Sequence, residues 1–472
     1  MRIPRVFAGL PGIAVFALSC VIPASAQSLR LPAHEKTVLK NGLTVLLMEK
    51  RGVPIVSFAA IVKTGAAADP AGQEGLASAT AGLLRKGTKA RTAQQFAADL
   101  DFIGGTFDAE ANADFTSISA EFLTKDLARG LDLLTDALLH PAFAQTEVDK
   151  LLAQSIDGVK GAKDDAQNVI LLYYYGYLYG ARPYGRPDGG DEDSLKHIQR
   201  EGILKFYDTH YAPGNTLLAV VGDFNAAEMK KKLEEALGAW PAKTAPAVAI
   251  PATASVKGKR LLLVDKPDAT QTYFAIGNVG TRITDPDRVA IRVVNTVFGG
   301  RYTSLLNEAL RIESGLTYGA QSFFDSRKEP GPFAMFSFTK NETTTQAIDL
   351  ALKVLQDLHK NGLTEEQLKS AKSYIKGQFP PTIETSNQLA RRIAQYEFYG
   401  LNDDEVNQLE ARVDAVTPEI AKQVIQKHFP SDNLVFVLIG KTSAIGPAVK
   451  KYAEKEDGRA ISEPGFWPPP GR

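Results

Sequence analysis

Apolar residues run from Leu43 to Met48 directly behind an Asn41-Gly42 turn, which predicts a strand. Residues 57–62 predict a second. Residues 92–102 carry apolar positions at helical spacing behind Thr92, a residue type that caps helices. Ser117, Ser119 and Glu121 alternate with Ile118, Ala120 and Phe122, the period of a half-buried strand, and residues 127–139 return to helical spacing. Helices packed on one face of a mainly antiparallel sheet satisfy this pattern, an α+β architecture.

The pattern occurs twice. Residues 215–223 match residues 433–441, and both read as short buried strands that end at a glycine, Gly222 and Gly440. Residues 146–150 match 364–368, each predicting a helix with acidic first-turn residues behind a threonine cap, Thr146 or Thr364. Residues 46–50 pair with 262–266. Such a period far exceeds that of a solenoid and implies two copies of one domain, at 27–240 and 258–453. Residues 241–257 are rich in proline and alanine and predict a semi-rigid linker. Residues 454–472 are polar at first and predict either a poorly ordered tail or an arm that docks through Phe466 and Trp467.

Residues 1–26 have the features of a secretory signal: Arg2 and Arg5, an apolar run over 6–22, and Ala24-Ser25-Ala26 before Gln27. A periplasmic or secreted location is therefore expected. A membrane-spanning reading is disfavoured by Pro11 and Gly12, and lipidation at Cys20 by a poor surrounding motif. Cys20 is the single cysteine, so residues 27–472 can form neither disulfides nor thiolate metal sites. Without Arg2 and Arg5 the 54 basic side chains become 52 against 54 acidic ones, a net of −2. No basic excess points to nucleic acid or to an anionic membrane. No later run approaches the length of a membrane span.

Two segments carry the candidate chemistry. Phe298-Gly299-Gly300-Arg301-Tyr302-Thr303-Ser304-Leu305 leads to Leu310-Arg311 and Gly315-Leu316-Thr317-Tyr318. Earlier, Gly75-Leu76-Ala77 and Lys86-Gly87-Thr88 frame a segment that includes Ser78, Ala79, Thr80, Ala81 and Gly82. By spacing alone, Arg311 and Tyr318 could be an exposed helix arginine and a packed strand tyrosine. Together the segments resemble the M16 (pitrilysin/insulinase) metallopeptidases over nearly the whole chain after residue 26. Tyr173–Gly180 and Pro183-Tyr184-Gly185 also look like that family, with the tyrosines expected in the core and the cleft wall.

The resemblance implies that Arg311 binds substrate carbonyls and that Tyr318 binds the oxyanion. It also implies substrate-binding positions at Gly299, Gly300 and Ser304. In the family a His-x-x-Glu-His helix holds zinc. Here Ser78 and Gly82 replace the histidines and Ala81 the glutamate base, and none can do that work. The third ligand should fall near Asp157 or Gly158, and no glutamate lies between Glu147 and Glu192. No two of the six histidines are within four residues of each other. The expectation is a chain without its own cofactor, whose partner, a zinc-bearing homologue, completes a heterodimeric peptidase acting on peptides. A wholly inactive scaffold homologue is the alternative. A serine hydrolase built on Ser78 lacks a recognisable His and Asp arrangement.

Overall fold

The computed structural model describes residues 29–466, so the signal-peptide reading, Cys20 and Trp467 lie outside the described residues. Twelve strands form two six-stranded sheets. The first comprises β1 (Glu35–Val38), β2 (Thr44–Glu49), β3 (Ile55–Val62), β4 (Thr106–Ala111), β5 (Thr116–Leu123) and β6 (Thr216–Gly222), in the order β1-β2-β6-β3-β5-β4. The second comprises β7 (Arg260–Asp265), β8 (Gln271–Val279), β9 (Ala320–Phe324), β10 (Pro332–Lys340), β11 (Val435–Gly440) and β12 (Lys455–Ala460), in the order β12-β7-β11-β8-β10-β9. The last five positions in each order correspond one to one, as a duplication requires. The first differs: β1 adds antiparallel to β2, whereas β12 adds parallel to β7.

Most neighbours are antiparallel. The exceptions are β2 with β6, β7 with β11, and β7 with β12. The expected α+β class therefore holds, with one difference in layering. Successive strand residues point to opposite faces, and both faces of these sheets are apolar. Val45, Leu47, Phe58 and Val220 meet helices of their own half, including Leu134 and Leu233. Leu46, Met48, Ala59 and Ala219 meet Leu389, Ile393 and Ala394 of helix Ser386–Tyr399, which belongs to the second half. The exchange is reciprocal. Helix Ala166–Tyr179 of the first half lays Val169, Ile170, Tyr173 and Tyr174 on Leu262, Val264, Ala275 and Val437 of the second sheet. Neither half can bury its sheet alone, which is why β6 and β11 are buried at every residue.

Local predictions follow the capping chemistry. Thr92 and Thr364 each close a capping box, with Gln95 and Gln367. Thr146 does not cap: helix Gln145–Ala162 starts from Ala144 with no side-chain cap. Three residues on stands Asp149, one methylene shorter than the Glu or Gln that closes the box, and it accepts from Gln145 Nε2 instead, at 2.8 Å.

Residues 241–257 carry no regular structure. The segment beyond 454 is an integral part of the second sheet. After β12, buried Phe466 packs edge-on against Tyr173 at 5.3 Å. Lys163 of the first half pairs with Glu192 and donates to the carbonyl of Glu463 at 2.8 Å.

Candidate functional site

Helix Leu76–Leu83, which carries Ser78, Ala81 and Gly82, begins at Gly75, whose φ is 97°. A Cβ there would lie 2.9 Å from the carbonyl oxygen of Gly189, so the close approach requires glycine. Asp69 caps the helix, accepting from the backbone N–H groups of Gly75 (2.8 Å) and Ala77 (2.9 Å). Burial outweighs these two bonds and pushes the Asp69 carboxyl up to about 7. Ser78 donates its hydroxyl to the carbonyl of Asp188 at 2.6 Å. The Asp188 carboxyl is itself pushed up to about 6 by burial.

Ala81 is wholly buried, and a Cβ on Gly82 would meet the Leu151 methyl at 3.2 Å. On the neighbouring helix Asp157 is 80% exposed and pairs with Lys160, and Gly158 faces open space. The donor set does not fit zinc: one hydroxyl already committed to a carbonyl, and two positions with no donor atom.

Among the described residues one group could place three ligand atoms together, Asp285, Asp287 and His428. Its members already serve one another and their surroundings. Asp287 accepts from Lys427 (2.7 Å) and contacts His428 Nε2 (2.9 Å), while Asp285 accepts from Thr281 (2.8 Å).

The second candidate segment starts where helix Arg288–Phe298 ends at Gly299. A Cβ on Gly299 would fall 2.4 Å from the Ser322 backbone nitrogen, and one on Gly300 would fall 3.0 Å from the Asn295 carbonyl oxygen. Both glycines thus allow the chain to press against β9 and the preceding helix. Ser304 is fully buried and caps the next turn, accepting from Asn307 N–H at 3.4 Å. Gly299 and Ser304, expected to touch substrate, form the scaffold beneath the site, and Gly300 lines a neighbouring cavity.

Arg311 sits in a π-helical turn, Glu308–Glu313, a conformation frequent at functional sites. Its guanidinium lies over the Tyr302 ring, 4.8 Å from the centroid. Gly315, at φ 62°, then breaks the helix, and the N–H groups of Leu316 and Thr317 turn back to the carbonyl of Leu310. Ser337 and Thr339 of β10 pin the following loop, donating to the carbonyls of Gly319 (2.9 Å) and Leu316 (2.7 Å). Tyr318 projects from this pinned loop, 78% exposed. Neither the Arg311 nor the Tyr318 side chain makes a hydrogen bond or ion pair with any described residue. Sequence reasoning missed Tyr302 as the rest for Arg311, although it lies within the same segment.

The family model for insulinase (peptidase family M16) matches residues 44–187, and that for the peptidase M16 inactive domain matches residues 197–375. This chain belongs to the M16 peptidase family. A Streptomyces coelicolor protein described as an uncharacterized zinc protease is 24% identical over 89% of this chain and 91% of its own length. A Rickettsia bellii protein with the same description is 24% identical over 87% and 96%. An M16 inactive domain from Pseudomonas fluorescens superposes with a TM-score of 0.81 at 24% identity, covering 86% of this chain and 98% of that one. A Helicobacter pylori protease gives 0.77 at 20%, covering 87% and 100%. The two structures show the same fold. The relatives carry the word zinc in their descriptions, whereas Ser78, Ala81 and Gly82 supply no ligand set in this M16 chain.

One feature of this M16 chain had no sequence signal. Buried Asp114, on the turn between β4 and β5, joins both halves. It accepts from Tyr184 (2.6 Å) in the first half, and from the Lys328 backbone (2.9 Å) and Tyr399 (3.1 Å) in the second. Beside it, Arg327 pairs with Asp325 at 2.7 Å and lies between the rings of Tyr175 and Tyr184. The tyrosines of the 173–184 segment are buried or half-buried, and the hydroxyls of Tyr174, Tyr175, Tyr177 and Tyr179 reach the other half, as Tyr174 does at the Phe333 carbonyl (2.7 Å).

Proposed function

We propose that this chain is the metal-free partner in a two-chain M16 peptidase, exported to the periplasm or beyond after removal of residues 1–26. Arg311 and Tyr318 act in trans, on a peptide held at the metal centre of a zinc-bearing homologue. The observation that carries this reading is the freedom of the pair: a guanidinium resting on Tyr302 and a phenol presented to solvent on a pinned loop. A packed structural remnant would have both polar ends satisfied by its own chain.

Within the complex, the Arg311 fork donates to substrate carbonyl oxygens, and the exposed Tyr318 hydroxyl donates to the oxygen that becomes negative as the peptide bond is attacked. Each donor is held before the reaction, so little reorganisation is needed when charge develops. The metal chemistry belongs to the partner chain. The alternative, an inactive scaffold, is favoured by the match to the M16 inactive domain and by the missing donors.

Mixing the chain with a zinc-bearing homologue and measuring peptide hydrolysis together with co-elution separates the two readings. Tyr318→Phe should leave assembly intact and lower the rate by roughly 10²–10³-fold, or less if Arg311 shares the load. If Tyr318→Phe and Arg311→Ala both assemble and both retain full activity, the pair is a remnant and the scaffold reading stands.

A further inference from the structure

Asn307 stands between the two arms of the candidate site. It ends helix Leu305–Asn307, one turn before Arg311, and is 3% exposed. Its side-chain amide uses both ends. Nδ2 donates to the carbonyl of Tyr302 at 2.7 Å, and Oδ1 accepts from the backbone N–H of Ala320 at 3.2 Å. Tyr302 is the ring beneath the Arg311 guanidinium. Ala320 opens β9, directly behind the loop that presents Tyr318. One buried amide therefore ties the rest of Arg311 to the root of Tyr318.

The two backbone partners fix how that amide lies. A carbonyl can only accept and an N–H can only donate, so the amide fits one way round. Aspartate would keep the acceptor toward Ala320 but set a second oxygen against the Tyr302 carbonyl, and alanine would remove both bonds. Irregular backbone gives the tie its consequence. The π-helical turn Glu308–Glu313 and the break at Gly315 lie between Asn307 and Tyr318, so no continuous helix holds Arg311 and Tyr318 in register.

We infer that Asn307 is a positioning residue for the peptidase reaction: it acts through Tyr302 on Arg311 and through Ala320 on Tyr318, and so sets the separation of the two donors. This rests on the two-chain reading above. Buried Asn307 touches no substrate itself. Oxyanion stabilisation depends on donors already placed where charge develops, and a misplacement of about 1 Å can cost roughly 10²-fold in rate.

Peptide hydrolysis by the complex with a zinc-bearing homologue tests it, for Asn307→Asp and Asn307→Ala, each alone and combined with Tyr318→Phe. Each alone should lower kcat/KM by roughly ten- to a hundredfold. In the Tyr318→Phe chain the same change should cost at least about threefold less, because one of the donors it displaces is already gone. A merely structural role would cost the same in both backgrounds. Hydrogen exchange on the free chain needs no partner: residues 316–320 should exchange faster in both variants, while β6 exchanges as in the parent. Tyr302 is exposed, so its variants keep the fold. Tyr302→Phe keeps the ring and should keep the parent rate, whereas Tyr302→Leu should lower kcat/KM by roughly two- to fivefold. The inference is overturned, and the two-chain reading kept, if both Asn307 variants hydrolyse as the parent does while Tyr318→Phe is impaired. It is overturned equally if their cost is the same in both backgrounds, or if residues 316–320 exchange at the parent rate. Full activity of both Tyr318→Phe and Arg311→Ala would end the two-chain reading and this inference together.

Discussion

Replacing Asp114 by alanine should loosen the whole molecule, not one loop. The carboxylate is 7% exposed and receives three hydrogen bonds, from the Tyr184 hydroxyl at 2.6 Å, the Lys328 N–H at 2.9 Å and the Tyr399 hydroxyl at 3.1 Å. Bonds to a charged acceptor contribute about 1.5–3 kcal/mol each, and the donors left behind add a desolvation cost. Water entering the space of the lost carboxylate offsets part of the sum. The expected net loss is about 3–5 kcal/mol, a large share of the roughly 5–15 kcal/mol that stabilises a typical native chain. Asp114→Asn retains one acceptor oxygen and should lose about half as much.

Lys328 and Tyr399 belong to the second half and Tyr184 to the first, so the loss should appear as one shifted transition for both halves. Urea unfolding followed by tryptophan fluorescence and by far-UV circular dichroism provides the measurement. A loss below about 1 kcal/mol for Asp114→Ala, or a transition that moves for one probe alone, would refute the assignment of Asp114 as a joint between the halves.

Two further outcomes follow from helix Leu76–Leu83. Folded Asp69 keeps its proton up to about pH 7, whereas an unfolded aspartate loses it near 3.8. The folded state therefore binds the extra proton between those values, and stability should fall as pH rises from about 4 to 7, by up to about 4 kcal/mol from this group. Asp188, raised to about 6, adds in the same direction. Urea midpoints at pH 5 and pH 7 should show a smaller fall for Asp69→Asn than for the parent; equal slopes would contradict the assignment. Gly82→Ala should stabilise the chain by about 0.5–1 kcal/mol, because helix propensity improves and the new methyl meets only the movable end of Leu151, at 3.2 Å. A lowered melting temperature would show that Leu151 cannot give way.

Much of this protein was legible in its sequence. The strands of each half, the duplication and the helix break at Gly315 all rest on local chemistry, namely periodicity, turn residues and a glycine that can take positive φ. The absence of ligand atoms from Ala81 and Gly82 was legible for a stronger reason: whether a residue carries a ligand atom is a property of the residue, and these two carry none wherever they lie. Thr146 marks the limit of such reading, since a cap depends on where the helix starts, and this one starts from Ala144, which leaves Thr146 inside its first turn.

Tertiary structure decided the rest. The polar run Lys455–Ala460 is a strand because the exposed backbone edge of β7 pairs with it, and main-chain hydrogen bonds leave no trace in side-chain hydropathy. The exchange of helices 166–179 and 386–399 between halves and the three donors on Asp114 join residues far apart in the chain. Periodicity reports which face of an element is apolar; only the folded chain determines which partner covers that face, and which charges are left without one.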